Sequence, residues 1–391
     1  MTETTQPGLL QPILAGVLAA VVGFASSFTI VLAGFHAMGA TPAQAASGLL
    51  ALCVMQGVLA PLMSWRLRMP IITAWSTPGA ALLVATGLPP GGFPVAVGAF
   101  LLAALLIILA GLWRPFGRFV SSIPPSLANA MLAGILLEIC LAPMRAIGAM
   151  PLLALPVILA WALAWRFARL WAVPCAVLVA ALLIFLATPL PQGALADLAP
   201  HLEWVTPAFS ASAAISIALP LFLVTMASQN VPGLAVLHAN GYHPAPGPIF
   251  TATGIASLLI APFGAHSLNL AAITAALCAG RDSHPDPARR WVAAVSGGAC
   301  YVLLGLGASF AVAFIAASPP LLIQTVAGLA LLGTLGGALT AALADERQRL
   351  PAVITFATTA SGLALFGIGA AFWGLIGGIA LMMLERVRIR P

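Results

Sequence analysis

The chain has 391 residues, 62% of them hydrophobic and only 6% charged, with a mean hydropathy of +1.10. A soluble domain carries about 25% charged residues, so these figures exclude a water-soluble enzyme or binding module and imply a polytopic membrane protein. The net charge of +6 arises without a single Lys, from Arg residues grouped between apolar runs, which is the positive-inside pattern and no nucleic-acid-binding surface.

Taken in order, apolar runs occupy about 9–36, 43–63, 70–87, 93–113, 122–143, 148–165, 170–189, 209–238, 247–262, 264–279, 290–315, 320–343, 350–369 and 371–387. Several fall short of the roughly 20 residues that a spanning helix needs, so hydropathy alone leaves the count open. Arginine decides it. With fourteen spans and a cytoplasmic N-terminus, every Arg except Arg145 lies on the cytoplasmic side, Arg114, Arg118 and the C-terminal Arg386, Arg388 and Arg390 included, while Asp197 and Glu203 lie outside. Joining 350–387 into one span loses that agreement, so a turn is expected near Gly367 and Gly369. The N-terminal MTETTQPG has no basic region or cleavage site, and no cleavable signal peptide is expected. The cysteines (Cys53, Cys140, Cys175, Cys278 and Cys300) are odd in number and unclustered; they read as small core residues, with neither a disulfide framework nor metal spacing.

The third run, Pro70 to Leu83, reads PIITAWSTPGAALL and is punctuated like a loop. Thr77 before Pro78 predicts a helix start: a hydroxyl N-cap, then proline at the first helical position, with extended chain before it. A helix from there to about Thr86 crosses only half of the hydrocarbon, so its N-terminus lies near the bilayer midplane.

The second half repeats the first. At an offset of 202, Ala25-Ser26 matches Ala227-Ser228, His36-Ala37 matches His238-Ala239, Gly39 matches Gly241 and Pro42-Ala43 matches Pro244-Ala245. At 195, Pro124-Pro125 matches Pro319-Pro320; at 191, Ala74, Ser76 and Ala80-Ala81 match Ala265, Ser267 and Ala271-Ala272. Two halves of seven spans run in opposite senses because seven is odd, and an inverted repeat is the signature of a secondary transporter. The partner of the third run is Pro262 to Gly280, PFGAHSLNLAAITAALCAG, with Ser267 as the expected cap and Leu268 to Ala279 as the expected half-helix. Spans 3 and 10 are thus both expected to be broken, and two half-helix N-termini at one cavity suit an anion.

Polar residues at that depth are the candidate contacts. Gln229-Asn230-Val231-Pro232-Gly233 predicts a kink at Pro232 that frees the Ser228 carbonyl, with two amides beside it as substrate contacts or as glue between helices. His266 could donate to a carboxylate and carry a coupling proton, or merely satisfy backbone groups. Trp75 could stack on a planar substrate or fill space. Glu138, the one acid plainly inside an apolar run, is a second proton-coupling candidate, with an ion pair to nearby Arg145 as its alternative. His36 and His238 read as interfacial structural residues, and Ser26, Ser27, Ser76 and Thr77 are weaker signals because membrane hydroxyls often bond only to backbone.

AWSTPGAALL, TMASQNVPGLAVL followed by GYHP, and PFGAHSLNLAAITAALCAG with HPDPARR resemble the benzoate/proton symporter (BenE) family, in order and over nearly the whole chain. The resemblance implies the fold of the uracil and anion transporter superfamily, an all-α membrane protein of fourteen spans in a seven-plus-seven inverted repeat. It divides the chain into a core domain (9–113 plus 209–315) and a gate domain (122–189 plus 320–387), and it implies uptake of benzoate or a similar aromatic carboxylate with a proton. Where the superfamily's nucleobase carriers place glutamates on spans 8 and 10, this chain has Gln229 and Ala265 or His266, which suits an anionic substrate. The expected substrate contacts are therefore Ser26, Ser27, Trp75, Ser76, Thr77, Pro78, Gly79, Gln229, Asn230, Phe263, Gly264, Ala265, His266, Ser267 and Asn269. No cofactor, metal or nucleic acid is expected; the partners are the carboxylate, a proton and the lipid bilayer, with room for a homodimer, and the location is a bacterial inner membrane with both termini cytoplasmic. Rival readings are a nucleobase or inorganic-anion carrier of the same fold, a passive channel, and a membrane-embedded enzyme, for which the spans lack paired acids.

Overall fold

The computed structural model describes residues 8–113, 115, 124–187, 199–316, 318–366 and 368–387. Arg114, Arg118, Asp197, Gly367, Arg388 and Arg390, all used in the topology argument, lie outside these residues. The first half runs α1 (Leu10–Ala37), α2 (Pro42–Leu67), β1 (Thr73–Trp75), α3 (Thr77–Thr86), α4 (Phe93–Leu112), α5 (Pro125–Cys140), α6 (Ala142–Ala149), α7 (Pro151–Phe167) and α8 (Ala172–Ala187). The second runs α9 (Ala211–Ala239), α10 (Pro246–Ile260), β2 (Leu268–Leu270), α11 (Ile273–Ala279), α12 (Trp291–Leu306), α13 (Ala308–Ala316), α14 (Pro320–Ala342), α15 (Arg349–Ala360) and α16 (Ala370–Val387).

Among the described residues eight helices are long and apolar enough to cross a bilayer, and the bent pair at Gly307, kinked by 54°, makes nine if counted as one span. This is a multi-pass membrane protein. The turn expected near Gly369 is present, between α15 and α16, closed by backbone pairing of Leu365 with Ile368.

Local chemistry explains the irregular stretches. In α9 the backbone widens into π-helical turns at Ala214–Ala218 and Met226–Asn230, each ending two residues before a proline, Pro220 and Pro232. A proline ring clashes with the carbonyl four residues back, and a wider turn relieves that clash without ending the helix. The kink predicted from Pro232 is thus accommodated as a bulge. Helix α2 packs on α12, α4 on α10 and α5 on α14. The first of these contacts is close enough that a Cβ on Gly57 would come within 2.7 Å of the Gly298 carbonyl, and one on Gly298 within 2.8 Å of the Gly57 carbonyl. Small residues that let backbones touch are how helices associate when lipid removes the hydrophobic drive.

Between these helices β1 and β2 pair antiparallel, Thr73 with Leu270, Ala74 with Asn269 and Trp75 with Leu268. The expected helix Leu268 to Ala279 is therefore a strand followed by a seven-residue helix, and Ser267 caps nothing. Strand is tolerated among membrane helices because its backbone groups are paired and buried. A serine anchors each strand segment: Ser64 Oγ of α2 accepts from the Ile71 N–H at 2.9 Å, and Ser257 Oγ of α10 accepts from the Leu268 N–H at 2.8 Å.

Candidate functional site

The strand pair leads directly into the start of α3. The cap is Ser76, one residue earlier than predicted, with Thr77 and Pro78 as the first two helical residues. Its Oγ accepts from the Gly79 N–H at 3.1 Å, and the Ala80 N–H turns back to its carbonyl at 2.8 Å. Pro78 has no N–H, so of the first four helical residues only the half-buried Thr77 keeps an amide without a partner among the described residues. The anion-binding capacity expected of this N-terminus is narrowed to that amide and the helix dipole.

Ser76 also meets the other broken segment. Thr225 Oγ1 on α9 donates to Ser76 Oγ at 2.9 Å and lies 3.4 Å from Ser267 Oγ, while the Ser76 N–H donates to the Ser267 carbonyl at 3.1 Å. All three hydroxyls are buried. Thr225 begins the TMASQNVPG stretch and escaped the sequence reading because an isolated hydroxyl in a membrane helix carries little signal.

Several predicted contacts converge here but face inward to the protein. His266 is fully buried; its Nε2–H donates to the Ser76 carbonyl at 3.0 Å, its Nδ1 has no partner, and its ring lies edge-on to Phe35 and Phe100. Trp75 is 2% exposed: its indole N–H donates to Ser27 Oγ at 2.9 Å and its ring packs edge-on against Phe24 and Tyr301. Ser26 and Ser27 both donate to the Gly23 carbonyl. Asn230 Oδ1 accepts from the Leu270 N–H at 2.9 Å and thereby pins β2 to α9, so this amide is committed to the fold. Asn269, with its amide oriented to satisfy both ends, donates to the Ala74 carbonyl at 3.1 Å and accepts from the Ser76 N–H at 3.2 Å. Phe263 turns its ring toward Trp204, and its carbonyl accepts from Ser47 Oγ. Gly264 adopts φ +87°, where a side chain would be strained, and Ala265 is buried behind it.

Gln229 differs. It is half-buried on the second π turn of α9 and makes no hydrogen bond to any described residue. Next to it in the chain, Leu223, Met226, Ala227, Val231 and Leu234 form one wall of a cavity of about 270 Å³; Met131 and Asn129 of α5, Phe250 of α10 and Leu375 of α16 complete it. The cavity is apolar apart from the Asn129 amide, and Met226 adjoins the Ser76–Thr225 contact. Neither Asn129 nor Phe250 stood out in the sequence, because cavity lining by scattered residues of four helices leaves no local motif. Glu138 is outside this cluster: its side chain is 61% exposed and paired with Arg145. His36 and His238 are exposed, and the His238 ring lies 5.1 Å from that of His243, tilted by 35°. Among the described residues no three His, Cys, Asp or Glu converge on a metal position.

An antiparallel strand pair in a membrane helical bundle, a short helix starting from it, and a cavity between α5, α9, α10 and α16 suit a membrane transporter. The same fold is seen in the transmembrane domain of the cyanobacterial bicarbonate transporter BicA, which aligns with a TM-score of 0.59 at 14% identity, covering 94% of this chain and 97% of that one. Residues 7–384 match the family of the benzoate membrane transport protein, and the chain belongs to that family of transporters, which are not enzymes. It is 43% identical to the inner membrane protein YdcO of Escherichia coli over 384 residues, 97% of each chain. It is 34% identical to the benzoate membrane transport protein of Acinetobacter baylyi over 380 residues, 96% of this chain and 95% of that one.

Proposed function

We propose that this protein takes up benzoate or a similar aromatic carboxylate together with a proton across a bacterial inner membrane. The observation that carries the reading is an apolar cavity of about 270 Å³ whose α9 wall, Leu223 to Leu234, also carries the half-buried Gln229 and the Thr225 that bonds the Ser76 cap of α3. A ring would pack on Met131, Leu223, Met226 and Phe250, and the carboxylate would meet Thr77 and Gln229, where a hydrogen bond to a charged group is worth about 1.5–3 kcal/mol. Trp75, Ser27, Asn230 and Asn269 serve as the frame that holds the α3 start in place. His266 is the better placed of the two proton-coupling candidates: a proton on Nδ1 would put positive charge one residue from the anion site, while Glu138 already has Arg145.

The fourteen-span, seven-plus-seven organisation is supported by packing. The pairs α2 with α12 and α4 with α10 exchange under the repeat, α5 with α14 maps onto itself, and the offset of 191 equates Ser76 with Ser267, the two residues in contact at the crossing. On this reading residues 9–113 and 209–315 form a core, and 122–189 and 320–387 a gate. The cavity lies between them, bounded by Pro125 and Pro246, the first residues of helices that the arginine pattern starts at the cytoplasmic face, and so opens inward with both termini cytoplasmic. Transport moves core against gate.

Radiolabelled benzoate uptake into proteoliposomes tests the reading. Saturable uptake stimulated by internal alkalinity is expected, and saturable uptake indifferent to the pH gradient removes proton coupling. Thermal stabilisation by uracil or sulfate but not benzoate would assign a different substrate class.

A further inference from the structure

Beside β1, where Thr73 donates to its carbonyl, Gln56 of α2 is 1% exposed, yet neither its Oε1 nor its Nε2 has a hydrogen-bond partner among the described residues. A buried carboxamide left so is costly, and native structures rarely leave both ends unmet. Gln56 borders a small cavity of about 10 Å³ that is shared with Thr73 of β1, Thr274 of α11 and Tyr301 of α12, the rest of its wall being Gly, Ala, Ile and Cys. The hydroxyls of Thr274 and Tyr301 make no hydrogen bond to any described residue, so three residues lining one small space carry polar groups without a partner among the described residues. That space matches the roughly 10–15 Å³ required for one water, whose two to four hydrogen bonds match the groups around it.

We propose that this cavity is a binding site for a single water molecule, held by the Gln56 carboxamide and the hydroxyls of Thr274 and Tyr301. The chemistry selects water over a monovalent cation, because a cation satisfies oxygen atoms only and would face the Gln56 NH₂, whereas water both accepts and donates. Its neighbours make it a pin. It joins α2 and α12, which pack on each other, to Thr274 of α11, while Thr73 of β1 donates to the Gln56 carbonyl at 3.4 Å and Tyr301 packs on Trp75 at 5.7 Å between ring centres. The bound water thus sets how the strand pair sits on the helices behind it.

Gln56→Met, which keeps the volume and removes the amide, tests the site in the full-length purified protein. If the amide has no partner in a dry cavity, removing it leaves the melting temperature unchanged or higher; with water bound, the melting temperature falls by several degrees. A double-mutant cycle gives a second test that leaves Gln56 intact. Tyr301→Phe and Thr274→Val lose the same water, so the double variant is expected to melt well above the temperature that additive shifts predict. Additive shifts in that cycle, or a higher melting temperature for Gln56→Met, overturn the proposal. Stabilisation of the wild type by sodium that Gln56→Met abolishes would reassign the site to a cation and overturn it equally.

Discussion

The two broken segments carry a serine at the same place and then part company. After Ser76 come Thr77, Pro78 and Gly79, and the chain enters a ten-residue helix whose first turn the serine caps. After Ser267 come Leu268, Asn269 and Leu270, and the chain extends into β2, with α11 beginning only at Ile273 and without a side-chain cap. Proline is the difference. Its φ is already helical and it has no N–H to give a strand ladder, so the first segment turns into helix directly after the Ser76 N–H has bonded the Ser267 carbonyl, whereas the second, with every N–H intact, runs on from Ser267 as strand. Two segments that share a serine thereby yield one capped helix start and one strand paired against it. One segment is built to present groups, the other to hold them.

The comparison breaks most severely at the lock. Asn230→Leu removes the acceptor of the Leu270 N–H, leaving a buried donor unsatisfied at a cost of about 1–3 kcal/mol. The variant should melt lower and lose transport together, and a shorter unfolding half-life in detergent checks it. A variant with wild-type stability but no benzoate binding would instead make Asn230 a substrate contact.

A smaller effect should separate the two serines. Ser76→Ala loses the N-cap, about 1 kcal/mol, and with it the acceptor of Thr225. Ser267→Ala loses only a 3.4 Å contact to the same threonine, since the backbone bond from the Ser76 N–H to its carbonyl survives. Melting temperatures of the two variants should therefore differ, with Ser76→Ala the lower. Equal shifts would mean that the segments are as symmetric in function as they are in sequence.

How much of this was legible beforehand follows the same division. The membrane class and the family come from patterns spread over many residues: arginine grouping, apolar runs and motifs in order. The start of α3 was readable to within one residue because Thr and Ser are both acceptable caps ahead of a proline, and only the Gly79 N–H chooses between them. The second segment misled because LNLAAITAALCAG is as apolar and as rich in helix formers as any membrane helix. Its strand exists through pairing with Thr73 to Trp75, a partner about 195 residues away that no local propensity reports. Asn230 and Gln229 are adjacent and chemically alike, so nothing in their order says that one bonds the strand and the other stays without a described partner. Only the position around α9 distinguishes them.

That last pair supplies the finest test, because it predicts an effect on affinity with almost none on stability. Gln229→Ala removes a half-exposed amide that has no described partner, so nothing buried is orphaned and the melting temperature should stay within the small range of surface substitutions. If its NH₂ meets the carboxylate, benzoate affinity should fall by about tenfold or more, as expected for a lost hydrogen bond to a charged group. Gln229→Glu sharpens the sign: a carboxylate of equal shape repels the same anion, so binding should weaken further at neutral pH and recover in part as the pH falls and the new acid protonates. Isothermal titration of both variants decides it. Unchanged affinity in Gln229→Ala would take the residue out of the site and leave Thr77, at the start of α3, as the remaining donor.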